Sequence, residues 1–529
     1  MRISTRIISL LVLSTLGFIS GSVVAAEAAT GATKDQPEKP NVIIIVADQM
    51  RRSAMGFWGK PEFQGKLNGV NDPVVTPNID ALAQQGLVFN QAISNFPLCS
   101  PFRGMLMSGM YPNNNGVSNN TRKTRPDVGL KPEVEAITDV LFKQGYNTAL
   151  FGKAHWHKNR PLFDQNGNYK GTEQAPGGYF VKESNFDTYI PPGEDRHSIE
   201  YWYQNIGHRH KNPLIYSNDP YAVAGKKDGE PHRNGIYSTV AQADLIVDYL
   251  KNNRNQRDDN KPFSILWSMD PPHNPYDSLD DTDEEIFNKY YKDPAIAQLL
   301  NRPNVDVATA EKFVRYYFSM VTLIDREVGK VINTLEKQGL KDNTLIVFTA
   351  DHGEMMGSHG KLHKNIVLEE SLAIPLIVHY PKKIAPRVDD LMISVPDFMP
   401  TFLGLLGLSQ YTPQNIDGFD YSELFIDENN STVKRPSSSL YYGQQGQLGV
   451  RTAQYTYAID NQGNLIALYD NQVDPYQTKQ LKLEQLAKQD SQLLKTELGC
   501  WLVHINHSWV SEQKYPDKVI YPKDSKTCH

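Results

Sequence analysis

The chain has 529 residues, of which 40% are hydrophobic and 22% charged. A chain of this length and composition can bury a large core, and it favours one large domain with a smaller one. The formal net charge of -6 gives no overall basic surface for nucleic acid, so we expect no nucleic-acid partner. An anionic substrate would have to be bound by local clusters of cations and a metal ion.

Residues 1–28 have the pattern of a secretory signal peptide. Arg2 and Arg6 precede an apolar run from Ile7 to Ile19, and small residues follow it. The run is short for a membrane span, so we expect it to be cleaved and the mature protein to be periplasmic or secreted, without a membrane span. An uncleaved anchor is the alternative. Residues 29–39 are predicted to be a disordered lead-in.

Short apolar strands alternate with helices along the middle of the chain. Asn41–Val46 is a continuous β-branched run, which is typical of a strand buried on both faces. Further strands are predicted at 147–151, 263–268, 344–349 and 375–379, and helices at 78–85, from 101, and at 134–144, 239–252 and 311–338. This alternation predicts an α/β fold, a large and mostly parallel sheet sandwiched by helices. Polar residues cluster just past the strands, at the edge where such sheets bind ligands.

Two regions depart from this pattern. Residues 160–235 are rich in Gly, Pro, Asn, Tyr and His, and we predict a long, partly irregular insertion near the site. Beyond about residue 430, short strands at 440–442, 455–459 and 465–469 precede a helix around 483–498. We therefore predict a catalytic domain over 40–430 and a smaller C-terminal α+β subdomain over 431–529.

The three cysteines are separated by their positions. Cys500 and Cys528 could form a disulfide in an oxidising compartment, although the sequence leaves their pairing open. Cys99 is left over, and an odd cysteine in an exported protein calls for an explanation. It lies just before the predicted start of a helix at Pro101, where the dipole and free N–H groups favour an anionic species. Arg103 can reach back to the same place.

The segment Cys99–Arg103 resembles the Cys-x-Pro-x-Arg signature of type I sulfatases, members of the alkaline-phosphatase superfamily. In that family a maturation enzyme oxidises the cysteine to formylglycine, whose hydrate is the nucleophile. Five further segments resemble family motifs in the expected order: 41–48, 152–155, 272–276, 349–353 and 364–376. The C-terminal segment 468–475 also resembles a recurring one. The resemblance implies the alkaline-phosphatase-like fold and a sulfuric ester hydrolase, in particular a bacterial polysaccharide sulfatase.

The resemblance also assigns roles to the catalytic set, which is Cys99, Arg103, Lys153, His155, His273 and Lys364. The two lysines and His273 would hold the sulfate oxygens and stabilise charge during transfer. His273, with Lys364, would donate a proton to the leaving alcohol. His155 would hydrogen-bond formylglycine and help to expel sulfate, and Arg103 would hold the aldehyde hydrate in place.

One divalent metal ion, Ca²⁺ by the resemblance, would be bound by Asp48, Gln49, Asp351, His352 and residue 99. Three positions depart from the usual pattern. Gln49 replaces the second Asp of the family's pair, and Phe102 stands where many relatives have Ser. His352 offers nitrogen, although calcium prefers oxygen ligands.

Substrate recognition is predicted from the composition of the insertion. It combines the aromatics Tyr201, Trp202 and Tyr203 with the basic residues His197, His208, Arg209, His210, Lys211, His232 and Arg233. Such a set suits a sulfated sugar, with rings stacking on sugar faces and cations pairing with further sulfates or carboxylates. A solvated loop anchored by its aromatics explains the same composition.

The sequence therefore predicts an exported enzyme that hydrolyses sulfate esters of a polysaccharide or oligosaccharide. It requires a sulfated carbohydrate substrate and a formylglycine-generating maturation enzyme as partners. Two alternatives remain: a phosphonate monoester or phosphodiester hydrolase of the same superfamily, and a non-catalytic protein that binds sulfated glycans. The export signal disfavours the first, and the complete set of Lys, His and Asp positions disfavours the second.

Overall fold

A nine-stranded sheet forms the centre of the fold. The computed structural model describes residues 39–122, 125, 127–158, 187–522 and 528. The predicted signal peptide lies outside the described residues, as does the predicted lead-in apart from Lys39. Residues 160–186 of the predicted insertion lie outside them too. The described residues from Lys39 onward form one compact unit, and the domain boundary near residue 430 stays a prediction.

The strands of the large sheet are mostly parallel, as predicted. They are β1 (Asn41–Ala47), β2 (Leu87–Phe89), β3 (Asn147–Gly152), β4 (Tyr201–Ile206), β5 (Leu214–Ser217), β6 (Phe263–Ser268), β7 (Thr344–Ala350), β8 (Leu376–His379) and β9 (Arg387–Asp389). Their order is β5-β4-β3-β6-β1-β7-β8-β2-β9. Only β5 and β8 run against the others among these described strands.

The central strand β1 lies between β6 and β7 and pairs with both in parallel. All seven of its residues are buried, as expected for a continuous apolar strand covered on both faces. Parallel pairing brings the carboxyl ends of β1, β3, β6 and β7 to one edge of the sheet.

Helices flank this sheet, which confirms the predicted α/β class. Those of seven residues or more in the described part are α1 (Pro77–Gln84), α2 (Cys99–Ser108), α3 (Ile137–Lys143), α4 (Ser238–Lys251), α5 (Val314–Lys337), α6 (Phe398–Leu405) and α7 (Lys488–His504). Shorter α-helical segments are Pro112–Asn115, Glu284–Ile286, Ile296–Leu299, Val307–Ala310, Glu369–Leu372, Ser422–Ile426 and Ser508–Glu512. Gly329 in the middle of α5 permits close packing on α1, because a Cβ there would lie 2.3 Å from the Asn78 side chain.

The C-terminal region forms a separate antiparallel sheet followed by a helix, in agreement with the predicted α+β character. Its strands, in spatial and chain order, are β10 (Ser438–Tyr442), β11 (Leu448–Thr452), β12 (Tyr455–Ile459) and β13 (Leu465–Asp470). The following helix α7 begins at Lys488 rather than near residue 483, because Leu483–Gln485 forms a separate 3-10 turn. Cys500 and Cys528 form a disulfide, which answers the question that the sequence left open.

The predicted, partly irregular insertion contains two strands that the sequence did not reveal, at 201–206 and 214–217. Tyr201, Trp202 and Tyr203 belong to β4, which pairs in parallel with β3 and extends the sheet, and β5 pairs with β4. Aromatic side chains fit a pleated, buried surface well, and these three are buried. Among the described residues, no helix combines the length and the apolar character that a membrane crossing requires.

Candidate active site

The carboxyl edge of the sheet brings the predicted polar residues together. Asp48 follows β1, Lys153 follows β3 and Asp351 follows β7. Gly152, at φ +109°, allows β3 to approach β6 closely, since a Cβ there would lie 2.0 Å from the carbonyl oxygen of Ser268. That carbonyl accepts a hydrogen bond from the Lys153 backbone N–H at 2.7 Å, which fixes where the lysine leaves the sheet.

Cys99 is the first residue of α2, so this helix begins two residues earlier than predicted. Pro101 is accommodated because the first N–H groups of a helix have no partner within the helix. The thiol is buried, with 1% of the residue exposed. Burial and the charge of Asp48 raise its pKa to about 12, so an unmodified thiol is protonated at neutral pH and is a poor nucleophile.

Two buried carboxylates face this cysteine. The Cys99 Sγ lies 3.6 Å from Asp48 Oδ1, and the Arg103 Nη2 lies 3.1 Å from Asp48 Oδ2 and 3.4 Å from Asp351 Oδ2. Burial disfavours the charge of Asp48, but Lys153, His273 and Arg103 hold its pKa well below the usual range. Burial and the charge of Asp48 raise the pKa of Asp351 to about 8.

Lys153 connects the carboxylate pair to a further acid. Its Nζ lies 2.6 Å from Asp48 Oδ2 and 3.2 Å from Asp270 Oδ1. Although burial lowers the pKa of this lysine, Asp48 outweighs that effect and raises it, so the ammonium is charged.

His352 directs a nitrogen lone pair at the carboxylates. Its Nδ1 lies 3.0 Å from the carbonyl oxygen of Gly353, which can only accept, so Nδ1 carries the hydrogen. Its Nε2 is 3.3 Å from Cys99 Sγ and 3.4 Å from Asp351 Oδ1. Burial, then Lys364, lower the pKa of His352 and favour the neutral ring.

These groups form a candidate metal centre. One ligand atom from each of Asp48, Cys99, Asp351 and His352 lies within 4.8 Å of the others. A divalent cation fits the set, because it would neutralise two adjacent carboxylates and accept the lone pair of the imidazole. The oxygens suit a hard cation and the nitrogen a softer one, so the set alone does not select the ion.

Gln49, a predicted ligand, has other partners. Its amide oxygen accepts a hydrogen bond from Lys364 Nζ, and its amide nitrogen donates to Glu354 Oε2. Its backbone N–H donates to Asp351 Oδ1 at 2.9 Å, with φ at 67°. The residue thus orders Asp351 and Lys364.

The remaining two predicted histidines lie around the same space. His273 Nε2 is 2.6 Å from Lys364 Nζ, and burial followed by Lys364 lowers the pKa of this imidazole. His155 places Nε2 at 3.4 Å from the carbonyl oxygen of Thr121. Its Nδ1 is buried and has no hydrogen-bond partner among the described residues. Burial, then Lys153, lower the pKa of His155, so the ring is neutral.

Sequence reasoning missed Asp270, Ser268 and Glu354. Asp270 contacts Lys153, His208 and His210; Ser268 Oγ accepts from Arg103; Glu354 accepts from Gln49 and from the Tyr276 hydroxyl. Each follows or ends a strand that was predicted, β6 or β7. Their position at the carboxyl edge was the signal that could have identified them.

The predicted substrate surface is only partly present. Tyr201, Trp202 and Tyr203 are buried in the sheet and cannot stack on a sugar, which corrects that expectation. His197 is also buried, with Nδ1 3.0 Å from Asp139. The loop after β4 instead lines a cleft of about 870 Å³, to which His208, Arg209, His210, Lys211 and Arg233 contribute.

The cations, the neutral imidazoles and the candidate metal centre at the carboxyl edge of the sheet suit the hydrolysis of an anionic ester. The family model for sulfatases matches residues 40–408, and that for the C-terminal part of N-sulphoglucosamine sulphohydrolase matches 357–501. The chain belongs to the sulfatase family and is a sulfuric ester hydrolase.

Individual relatives agree with this assignment. An endo-4-O-sulfatase of Bacteroides thetaiotaomicron is 40% identical over 92% of this chain and 96% of its own length. An ulvan-active sulfatase of Formosa agariphila is 28% identical over 89% of this chain and 81% of its own. A solved structure from work on the metabolism of multiple glycosaminoglycans by B. thetaiotaomicron has a TM-score of 0.83 at 40% identity, covering 92% of this chain and all of that one.

Proposed function

We propose that the protein removes sulfate from O4 of sugar residues within a glycosaminoglycan chain. The observation that carries the chemistry is the position of Cys99, at a helix start and within reach of Asp48 and His352. The 40% identity to an endo-4-O-sulfatase over nearly the full length supports both O4 as the sulfated oxygen and attack within the glycan chain.

Residue 99 acts as formylglycine, made from the cysteine by a separate maturation enzyme. The raised pKa of the thiol supports this conversion, because the unmodified side chain is a poor nucleophile. The hydrated aldehyde would supply a hydroxyl group that attacks sulfur. Arg103, 3.1 Å from Asp48, holds its guanidinium beside residue 99 and orients that group.

Lys153, Lys364 and His273 bind the sulfate oxygens. Both ammonium groups lie beside the candidate metal centre: that of Lys153 contacts Asp48, and that of Lys364 donates a hydrogen bond to Gln49. Fixed cations of this kind stabilise the charge that develops as the ester bond breaks, and they need no reorganisation at that moment.

The leaving alcohol takes its proton from the His273–Lys364 pair. Because Nδ1 of His273 donates to the carbonyl oxygen of Asn274, its Nε2 faces Lys364 and can accept or relay a proton there. Sugar hydroxyls are poor leaving groups without protonation, so this transfer is needed for a carbohydrate ester.

His155 accepts a proton when sulfate is expelled. In its neutral ring, Nε2 carries the hydrogen because it faces the carbonyl oxygen of Thr121. The lone pair is therefore on Nδ1, which has no hydrogen-bond partner among the described residues and can accept the proton. Regeneration of the aldehyde requires such a base near residue 99.

We assign the metal as Ca²⁺, held by Asp48, Asp351, His352 and residue 99, with Gln49 as a further ligand. Its chemistry would be the polarisation of a sulfate oxygen. Gln49 can join this set only if its amide oxygen gives up the hydrogen bond from Lys364 and binds the ion instead. The protein is exported, and the Cys500–Cys528 disulfide supports an oxidising compartment.

The test uses protein co-expressed with a formylglycine-generating enzyme, with the aldehyde verified by mass spectrometry. Sulfate release is measured on chondroitin 4-sulfate polymer, chondroitin 6-sulfate polymer and a phosphonate monoester, with Cys99→Ala as the control. We expect release from the 4-sulfated polymer without prior shortening of its chains, and none from the control. Release only from chain ends, or from the 6-sulfated polymer alone, would overturn the proposal. Cleavage of the phosphonate alone would support the alternative hydrolase.

A further inference from the structure

The cleft of about 870 Å³ begins directly beside the candidate active site. His208 lines it, and the ring of His208 stacks on that of His273 with centroids 4.1 Å apart and planes 10° from parallel. Pro275, two residues after His273, lines it as well. The cleft is therefore adjacent to His273, and a chain whose reacting group lies at Cys99 would reach it by extending past that residue.

The charged groups of the cleft are arranged to attract an anion. Arg209 is exposed and forms no ion pair among the described residues, and Lys211 has only a 3.7 Å contact with the exposed Asp280. The Arg233 Nη1 donates to the carbonyl oxygen of Asn212 at 2.8 Å. Asn212 follows Arg209 and Lys211 in the chain and precedes β5, so this bond holds the loop that carries those two cations.

The two acids in the lining do not cancel these charges. The Asp281 carboxylate is buried and accepts hydrogen bonds from the backbone N–H groups of Asp277 and Ser278 at 3.0 and 3.1 Å. Asp280 is offset by Lys211 at 3.7 Å, so Arg209 and Arg233 face only one remaining acid in the lining, Asp281. The cleft presents a net positive surface.

The remaining lining explains what kind of ligand fits. Its apolar members are Ile206, Leu214 and Pro275, and no Phe, Tyr or Trp is among the lining residues described; the rings there are the imidazoles of His208 and His210. Without a Phe, Tyr or Trp in this lining, we expect charge rather than stacking on a sugar face to dominate recognition. The volume lies within the range of about 300–1,000 Å³ that is usual for small-ligand sites.

We propose that this cleft binds an anionic group, a carboxylate or a sulfate, on a sugar residue next to the one that is desulfated, and that Arg209 and Lys211 are its principal contacts. This inference rests on the proposed function. Guanidinium groups bind carboxylates and sulfates through paired N–H donors, so Arg209 selects a polyanionic chain over an isolated sulfated sugar.

The experiment measures binding by titration calorimetry in the Cys99→Ala protein, so that turnover does not intervene. The probes are a chondroitin 4-sulfate tetrasaccharide, its carboxyl-reduced form and a form with a single sulfate. The variant Arg209→Ala/Lys211→Ala removes the two cleft cations. The matched control Lys251→Ala/Lys337→Ala removes two exposed lysines from the last turns of α4 and α5, at the opposite edge of the sheet.

We expect the cleft variant to raise Kd for the intact tetrasaccharide at least tenfold and the control to change it less than twofold. The probe that lacks the recognised anion should bind the cleft variant and the parent protein within twofold of each other. If the carboxyl-reduced form binds the cleft variant and the parent equally well, the recognised anion is a carboxylate. If the single-sulfate form does so, the recognised anion is a sulfate.

Equal affinity of the cleft variant and the parent for all three probes would overturn the inference. If the parent binds none of them, the proposed substrate is wrong, and the same pair of variants is then compared with dextran sulfate. A cleft variant that binds dextran sulfate as tightly as the control does would also refute the inference. Coincident unfolding midpoints of variant and control exclude misfolding as the cause of any loss.

Discussion

His273 Nε2 lies 2.6 Å from Lys364 Nζ, and the other nitrogen of the same ring is held by the carbonyl oxygen of Asn274, also at 2.6 Å. The ring can therefore exchange a proton only through Nε2, the nitrogen that faces Lys364. The pair is therefore suited to protonate a poor leaving group.

Replacement of His273 by alanine should affect substrates according to their leaving group. We expect kcat on the 4-sulfated glycan to fall by about 10²–10⁴, the usual contribution of general acid catalysis. An aryl sulfate such as 4-nitrophenyl sulfate, whose leaving group needs little protonation, should lose much less. Steady-state kinetics on both substrates check this, and an equal loss on both would contradict the role as proton donor.

Asp270→Asn should disturb the orientation of Lys153 without removing any group proposed to bind sulfate. We expect kcat/KM to fall by about tenfold or more, as for loss of a buried charge-assisted contact. Burial lowers the pKa of His210, but the bond to Asp270 outweighs it and raises that pKa. In the variant, His210 should therefore titrate at lower pH by NMR. An unchanged titration would contradict the prediction, and the exposed Asp259→Asn serves as the control.

Removal of divalent metal should lower the thermal stability of the folded protein. A cation that binds only the native state at 100 times its Kd stabilises it by about 2.7 kcal/mol. We expect Ca²⁺ to raise the Tm of chelator-treated protein, and Asp351→Asn to abolish most of that rise. Differential scanning fluorimetry with Ca²⁺, Mg²⁺ and Zn²⁺ checks this and ranks the ions. A Tm that no divalent ion changes would argue against the metal centre.

The C-terminal sheet is joined to the catalytic sheet region by an ionic contact at Glu369. Its Oε1 lies 2.9 Å from Arg451 Nε in β11, and its Oε2 lies 3.2 Å from Arg52 Nη2, after β1. Burial opposes the charge, yet Arg451 and then Arg52 lower the pKa of Glu369 from 4.5 to about 2. The shift corresponds to about 3 kcal/mol of stability, which is present above pH 4.5 and lost as the pH falls towards 2.

Glu369→Gln should therefore lower the free energy of unfolding at pH 7 by about 3–5 kcal/mol, since it leaves two buried guanidinium groups without a carboxylate. The difference from wild type should shrink as the pH falls below 4.5. Urea denaturation at several pH values measures it, with Glu336→Gln, 65% exposed at its side chain, as the control. A difference that is constant across this pH range would contradict the linkage.

Much of this arrangement was predictable from the sequence, because strands buried on both faces are continuous apolar runs and the motif residues follow them directly. Asp48, Lys153 and Asp351 lie at the predicted edge for that reason. The position of Asp270 was not predicted, since a single acid after a strand has no distinguishing spacing. Nor was β4 recognised: its aromatic residues resemble a binding surface when the pairing with β3 is unknown.

A further prediction concerns the disulfide between Cys500 and Cys528. Cys528→Ser opens a loop with a sequence separation of 28 residues, which should cost about 3–4 kcal/mol by loop entropy. We expect a lower urea midpoint than for wild type under non-reducing conditions, and no difference between the two once dithiothreitol has reduced the wild type. Equal midpoints without reductant would contradict a stabilising role.

The position of β1 has a consequence for synthesis of the chain. Its two neighbours, β6 and β7, begin more than 200 and 300 residues later, so the apolar segment Asn41–Ala47 leaves the ribosome long before either partner exists. Unpaired strands of this kind are prone to aggregate, and non-local pairing of this kind is slow. Recombinant yield should therefore respond to slower translation, lower temperature and chaperone supply more than to any change at the catalytic residues.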